Sequence, residues 1–506
     1  MKKKDFFTWP KRCGTLLMGA AALLMASCAV DGFDDETFTS DVHDSALLSP
    51  ELSKENFSTR VNSDGSESIV VNWEVVPGAG GYEYFAYNVD DPNNPVELTS
   101  GIVDGTTFSF PKADDTRYEV SVRTLGNEKL NNTDAEEATV FPYSTMIDAM
   151  IIPVGNDIAE FIAANMKESD EEQAFELEAG GEYTCNGPID FMNNKMTFRG
   201  SKVNHPVVTF GEAGVIYTSS QLKVKFIDFD CSNMTNKWGV IEMSPNPPAE
   251  KSAEAQGIGA GKNNNNPADV YILMDPILVQ ECAFKNVPNC FFSVGRCSWG
   301  IADLRVQKCV IQMRNDGSKN SNSSVFSAYS SDWIAPSGGN FWSGCIQNLT
   351  VTESTICNTV SNSKCFTIRF SNKDIDRCFP TADGSCTFKN NTFVRIFDNK
   401  NFSDRTPQQA KYVITFYDNI FVDCKLLQKF FHQNCTYNTA QERNTGFAYY
   451  GTMDSTDKTK WVTEEDPGFT TEMMEKEIDF TQPNYGLNFT ATGPISSTIG
   501  DPRWLQ

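Results

Sequence analysis

The chain has 506 residues, 40% of them hydrophobic, with 42 basic against 66 acidic side chains and a formal net charge of −24. That length accommodates two or three domains with a large core, and the acidic balance, with no basic stripe interleaved with aromatics, argues against nucleic acid as a partner. Anionic polymers are repelled over most of such a surface, whereas neutral ones are not.

At the N-terminus, Lys2, Lys3, Lys4, Lys11 and Arg12 precede an apolar run from Leu16 to Met25 that is too short to span a bilayer and reads as a signal peptide. Leu24-Met25-Ala26-Ser27-Cys28 resembles a bacterial lipobox, with Met25 where Leu or Val is usual. The resemblance implies a signal over residues 1–27, cleavage before Cys28 and acylation of that cysteine, so that the mature chain meets a membrane through lipid alone. Loss of five positive charges and of Asp5 then takes the formal net charge to −28. Residues 28–47 form an acidic tether. Its Asp31, Asp34, Asp35 and Glu36 resemble the signal that sends some Gram-negative lipoproteins to the outer cell surface, which implies an outer-membrane location facing the exterior.

From Ser68 onward, Ile69, Val71, Trp73 and Val75 fall on one face of a period-2 strand, and a Pro77-Gly78 turn follows. Further strands begin at Tyr82 and Tyr84, at Phe108 and Phe110, and at Tyr118, Val120 and Val122. Short strands around a buried Trp make a small β-sandwich with Trp73 and Tyr118 in its core. Trp73, the Pro77-Gly78-Ala79 turn into Tyr82, and the run from Tyr118 to Val122 together resemble a fibronectin type III domain over residues 48–143. Nothing in it looks catalytic, and its expected role is spacer or protein contact.

Past residue 148 an eight-residue phrase recurs: Leu222–Phe229, Ile277–Phe284, Leu304–Ile311, Leu349–Ile356, Cys386–Phe393 and Ile414–Phe421. Positions one, three and eight are apolar throughout, and position six is Ile227, Cys282, Cys309, Ser354, Asn391 and Asn419 in turn. A unit carrying one strand cannot bury its own apolar face, so the copies must stack into a solenoid. Equivalent residues then form ladders, apolar ones inside and Asn or small polar ones at the bend, where a left-handed backbone suits Asn. Cys282 and Cys309 become ladder neighbours, read as buried small side chains and not as a disulfide. Thirteen cysteines lie between Cys185 and Cys435, an odd number that leaves one without a partner in the same chain.

Asn390-Asn391-Thr392-Phe393 and Asp418-Asn419-Ile420-Phe421 resemble coils of the right-handed parallel β-helices of the pectate-lyase-like kind, over residues 148–506. Asp157 to Met166 has helical composition and is placed to cap the open end, and Phe175 to Tyr183 resembles a first coil. Asp466 to Phe469 and Gly500 to Trp504 resemble closing segments of uncharacterised surface lipoproteins of polysaccharide-utilisation systems, which join a fibronectin type III domain to a β-helix. The expected fold class is therefore all-β, a sandwich followed by a solenoid. The resemblance implies a polysaccharide partner and outer-membrane glycan-uptake proteins as neighbours.

Lyases on such a scaffold need a basic residue beside calcium-binding carboxylates, and hydrolases need clustered carboxylates. The outward positions hold Arg305, Gln307 and Lys308, then Thr350, Thr352 and Glu353, then Thr387 and Lys389, and carboxylates do not cluster. Arg369, Asp374 and Asp376 are the remaining acid/base candidates, with a solvated charged loop the favoured reading for them. No motif supports calcium or another cofactor, and three histidines without a C-x-x-C pair give no basis for a zinc site. Binding asks only for aromatic faces and amides. The insert from Arg314 to Gly344 supplies Tyr329, Trp333 and Trp342, and the insert from Asn233 to Asp269 supplies Trp238 and the Asn263–Asn266 run. These four aromatics are the expected platform of a non-catalytic, glycan-binding surface lipoprotein. The rival readings are a divergent polysaccharide lyase or glycoside hydrolase on the same scaffold, and an adhesin or assembly partner.

Overall fold

The computed structural model describes residues 42–235, 239–258, 267–315, 323–329, 344–361, 365–370, 378–379, 383–398, 402–403, 411–424, 436–439, 445–447 and 463–505, apart from the side chains of 267, 436–439 and 445–447. The chain divides into two units, Met1–Met146 and Ile147–Gln506.

The first unit contains β1 (Phe57–Val61), β2 (Glu67–Asn72), β3 (Gly81–Asn88), β4 (Val96–Val103), β5 (Thr107–Pro111), β6 (Arg117–Leu125) and β7 (Thr139–Ser144). They form two antiparallel sheets, ordered β1-β2-β5 and β4-β3-β6-β7. Alternation sends Ile69, Val71, Tyr82, Ala86, Val120 and Val122 into a shared core. Trp73 meets Tyr82 edge-on, with ring centres 5.3 Å apart. The Tyr118 hydroxyl donates to the Ala113 carbonyl and accepts from the Ala113 amide, tying the start of β6 to the loop before it. Val75 departs from expectation: β2 ends at Asn72, the alternation stops with it, and Val75 is 71% exposed.

The second unit is a parallel β-helix of three sheets. The six phrases stack in one continuous register: position one runs Leu222, Ile277, Leu304, Leu349, Cys386, Ile414 through the first sheet. Position eight runs Phe229, Phe284, Ile311, Ile356, Phe393, Phe421 through the second. All twelve side chains are fully buried, and each Leu, Ile and Phe among them contributes roughly 1.5–3 kcal/mol by leaving water. Where aromatics follow one another they stack: Phe229 on Phe284 at 4.9 Å and Phe393 on Phe421 at 5.1 Å, within 10° of parallel, which adds about 0.5–1.5 kcal/mol per pair.

The bend is displaced by one residue from the expected place. Position five, not position six, takes the left-handed conformation in every copy: Phe226, Glu281, Lys308, Glu353, Asn390 and Asp418 have φ between 50° and 59°. The turn at five aims position six inward, where it meets backbone groups of neighbouring coils. Asn391 donates from Nδ2 to the Val351 carbonyl at 2.9 Å and to Asn419 Oδ1 at 3.0 Å, and Asn419 donates to the Phe388 carbonyl at 2.9 Å. Cys282 and Cys309 occupy the same ladder as unbridged, buried thiols.

Ile158–Asn165 is a helix capped by Asp157, whose side chain accepts from the Glu160 amide. Ile158 and Ile162 are buried in the same core as Tyr183 and Ile189 of the first coil, so this helix covers that end as expected. One other expectation changes. The inserts at 233–269 and 314–344 contain strands of the third sheet, Gly239–Met243 and Ser324–Ser327, so part of each is regular structure. After Thr463–Glu464, the last strand of the second sheet, the C-terminal segment 465–505 lies along the outside of that sheet. Its Phe469, Ile478, Phe489 and Trp504 pack against Ala283, Val310, Val394 and Ile420. Position seven of the phrase points out of the second sheet and is apolar at Ala283, Val310 and Ile420, and Val394, two residues past position seven of its own copy, faces the same way, so this apolar strip needs a cover. Among the described residues, no helix is long and apolar enough to cross a membrane.

Candidate functional site

Positions two and four of each phrase face outward from the first sheet, because side chains alternate along a strand. Position two aligns Arg305, Thr350, Thr387 and Thr415, and position four aligns Gln280, Gln307, Thr352, Lys389 and Tyr417. Neighbouring strands lie about 4.8 Å apart, so hydroxyls and amides recur at that interval along the axis. Between the coils of Gly384–Lys389 and Tyr412–Tyr417, Lys389 Nζ stands 5.9 Å from the centre of the Tyr417 ring. Towards the first coil Lys223 pairs with Glu172 at 2.9 Å. Burial opposes ionisation of Glu172, but hydrogen bonds from Thr197 and Lys223 outweigh it and hold the carboxyl below its ordinary range. In the middle, Arg305 pairs with Asp303 at 2.5 Å. The face is thus mostly neutral, and Lys223 and Arg305 are each tied to a carboxylate.

A second polar row crosses the third sheet. Strand register aligns Tyr217, Glu242, Ser293, Ser327 and Arg369. Glu242 is 2% exposed, and its Oε1 accepts from the Gly239 amide at 2.8 Å. Ser293 Oγ accepts from the Gly295 amide, and Ser327 Oγ accepts from the amide of Tyr329. Burial pushes the Tyr217 hydroxyl up to about 12, with Glu242 adding to the shift. Burial also pushes the Cys290 thiol up to about 11, and there Glu242 raises while Arg369 lowers.

Two of the expected site residues meet here. Arg369 ends the strand Phe366–Arg369, and its guanidinium carbon lies 3.9 Å from the centre of the Tyr329 ring. The solvated-loop reading of Arg369 is overturned, since its side chain is buried within the strand stack. A guanidinium stays protonated, and the facing ring favours the cation further. Arg369 is therefore placed as a fixed positive charge and is poorly suited to accept a proton. Glu242 and Arg369 stand three strand steps apart, about 14 Å by strand spacing, beyond the separation of an acid and base flanking one glycosidic bond.

Asp374, Asp376, Trp238, Trp333, Trp342 and Cys28 lie outside the described residues. Among the described residues, no three His, Cys, Asp or Glu side chains converge as a metal ion requires. Sequence reasoning missed Glu242 and Tyr217. The signal for Glu242 was a single carboxylate inside the apolar run Val240-Ile241-Glu242-Met243.

A family described as a domain of unknown function matches residues 1–181, and another, described as a domain of unknown function (DUF4957), matches residues 181–359. No curated protein matches the chain. Among solved structures, a family 28 exopolygalacturonase from Yersinia enterocolitica is similar at 9% identity and a TM-score of 0.26, over 80% of this chain and 85% of its own. Pectate lyase PelI from Erwinia chrysanthemi, in complex with tetragalacturonic acid, is similar at 9% identity and a TM-score of 0.17, over 72% of this chain and 85% of its own.

Proposed function

We propose that the chain is a lipid-anchored surface protein that binds a polysaccharide on its β-helix without cleaving it. The observation that carries this reading is the two outward rows of the first sheet, in which Thr350, Thr387 and Thr415 follow one another at position two and Gln280, Gln307 and Thr352 at position four, each at the strand interval. That interval is on the scale of one sugar unit in an extended glycan, so a chain laid along the axis meets a polar side chain of one row or the other at each coil. Tyr417 beside Lys389 offers a ring face further along the position-four row. Further aromatics are neighbours in sequence: Trp238 immediately precedes the strand Gly239–Met243, and Trp333 and Trp342 lie between Tyr329 and the strand Cys345–Thr352.

The remaining parts serve presentation. The three-plus-four division of strands and the Tyr118 corner support a fibronectin type III spacer. The β-helix is taken as right-handed, the hand that parallel crossovers favour. Cys28 carries the lipid, residues 28–47 are the tether, and the protein faces outward from the outer membrane, beside proteins of glycan uptake.

The test is to incubate residues 29–506 with plant and host glycans and to measure both retention in glycan-loaded gels and the appearance of reducing or unsaturated ends. Retention without new ends, weakened by Thr387→Arg and by Tyr417→Ala, is the expected result. New ends that vanish with Arg369→Ala would replace binding by a divergent lyase or hydrolase. Failure to retain any glycan would leave the adhesin reading.

A further inference from the structure

We infer that the outer face of the four-stranded sheet in the first unit is a separate binding site for a neutral glycan, built on Phe85 and Tyr87. β3 turns Tyr82 and Ala86 into the core and so directs Glu83, Phe85 and Tyr87 outward. The Phe85 and Tyr87 rings are 6.2 Å apart and within 9° of parallel. Both are only half-buried, and neither belongs to the sandwich core. Two partly exposed aromatics side by side forgo part of the burial that would stabilise them.

Their neighbours define the ligand. Register places Ser100 and Ser121 on either side of Phe85, and Glu97 and Glu119 on either side of Tyr87. The small serines leave the Phe85 ring open, and Ser100 donates to Glu97 at 2.7 Å. Ile102 and Val140 on the flanking strands are 66% and 54% exposed, which widens the apolar strip. Glu83 is neutralised by Arg123 at 2.9 Å, whereas Glu97 and Glu119 set two carboxylates directly beside Tyr87, with Arg117 the next outward residue along β6. Uronates and sulfated sugars are repelled there. A neutral sugar presents an apolar ring face to the aromatics and a rim of hydroxyls to the carboxylates, matching both halves of the face.

The test uses residues 29–506 and the double variant Phe85→Ala/Tyr87→Ala, titrated by affinity electrophoresis and calorimetry against a neutral β-glucan, a neutral mannan and polygalacturonate. Expected is a loss of about tenfold in affinity for at least one neutral glycan, no change for polygalacturonate, and an unchanged thermal midpoint. The conservative pair Phe85→Leu/Tyr87→Leu guards against misfolding, because it keeps the apolar bulk and should lose the same affinity. Equal affinity of parent and both variants for every neutral glycan overturns the proposal, including the case in which none is bound. The Tyr417→Ala variant reports on the β-helix face independently, so either site can fail while the other stands.

Discussion

The guanidinium carbon of Arg369 stands 3.9 Å from the centre of the Tyr329 ring, across two successive coils of the β-helix. The contact follows from register: Ser327 pairs with Arg369, and Tyr329 lies two residues past Ser327. With the arginine buried, such a contact is worth about 1–2 kcal/mol. Tyr329→Leu should lower the free energy of unfolding by that amount in urea titrations, and Tyr329→Phe by less. A double-mutant cycle with Arg369→Met isolates the pair. Additive single effects would show that the ring and the cation do not interact.

The Asn ladder should be the most sensitive polar element of the core. Asn391 accepts from the Ser354 amide at 3.1 Å while its own Nδ2 reaches the Val351 carbonyl, and the side chain is fully buried. Asn391→Ala strands two buried backbone groups at once, each costing about 1–3 kcal/mol. A loss of about 2–5 kcal/mol is expected by urea unfolding. A change below about 1 kcal/mol would mean that neighbouring groups or water replace the amide.

The ladders were legible because one short phrase repeats, and each copy reinforces the register of the next. Leu222, Ile277, Leu304, Leu349, Cys386 and Ile414 align as their positions in the phrase imply. The third sheet was not legible. Its strands Gly239–Met243 and Cys290–Ser293 are buried along their whole length and show no alternation, so nothing separates them from the surrounding loops. Glu242, the carboxylate of the polar row, went unnoticed with them. The C-terminal strap escaped for another reason. Its anchors join residues far apart in the chain, such as Trp504 Nε1 donating to Thr355 Oγ1 and the Tyr485 hydroxyl donating to Asp228, and no local pattern encodes them.

The strap carries a pH dependence of defined sign. Asp501 is 2% exposed, accepts from Thr355 Oγ1 at 2.7 Å and from the Arg503 amide at 2.9 Å, and burial raises its carboxyl above the ordinary 3.8 although Arg503 opposes the shift. A carboxyl with a raised folded pKa binds its proton more tightly in the folded state. Its stabilisation is complete below 3.8 and is lost as pH rises through the folded value. The stability of the parent relative to Asp501→Asn should therefore fall as pH rises through that window and then level off. Paired urea titrations from acid to neutral pH measure the difference, and a rise across the same window would contradict the assignment.

The cysteine ladder predicts slow and selective thiol chemistry. Burial pushes the Cys309 thiol up to about 12 and raises Cys282 well above its ordinary value, and the thiolate is the form that reacts. Iodoacetamide at mildly alkaline pH should modify the peptides containing Cys282 and Cys309 only as the coil opens, with rates that climb with denaturant. Cys309→Ser should be tolerated within about 1 kcal/mol, since Ser354 already fills the next rung with its Oγ donating to the Thr352 carbonyl at 2.8 Å. The substituted hydroxyl can reach the Gln307 carbonyl, which Cys309 Sγ contacts at 3.2 Å. A disulfide between the two cysteines would behave differently on both counts. Neither peptide would be modified after unfolding without reductant, and the serine variant would cost about 2–5 kcal/mol.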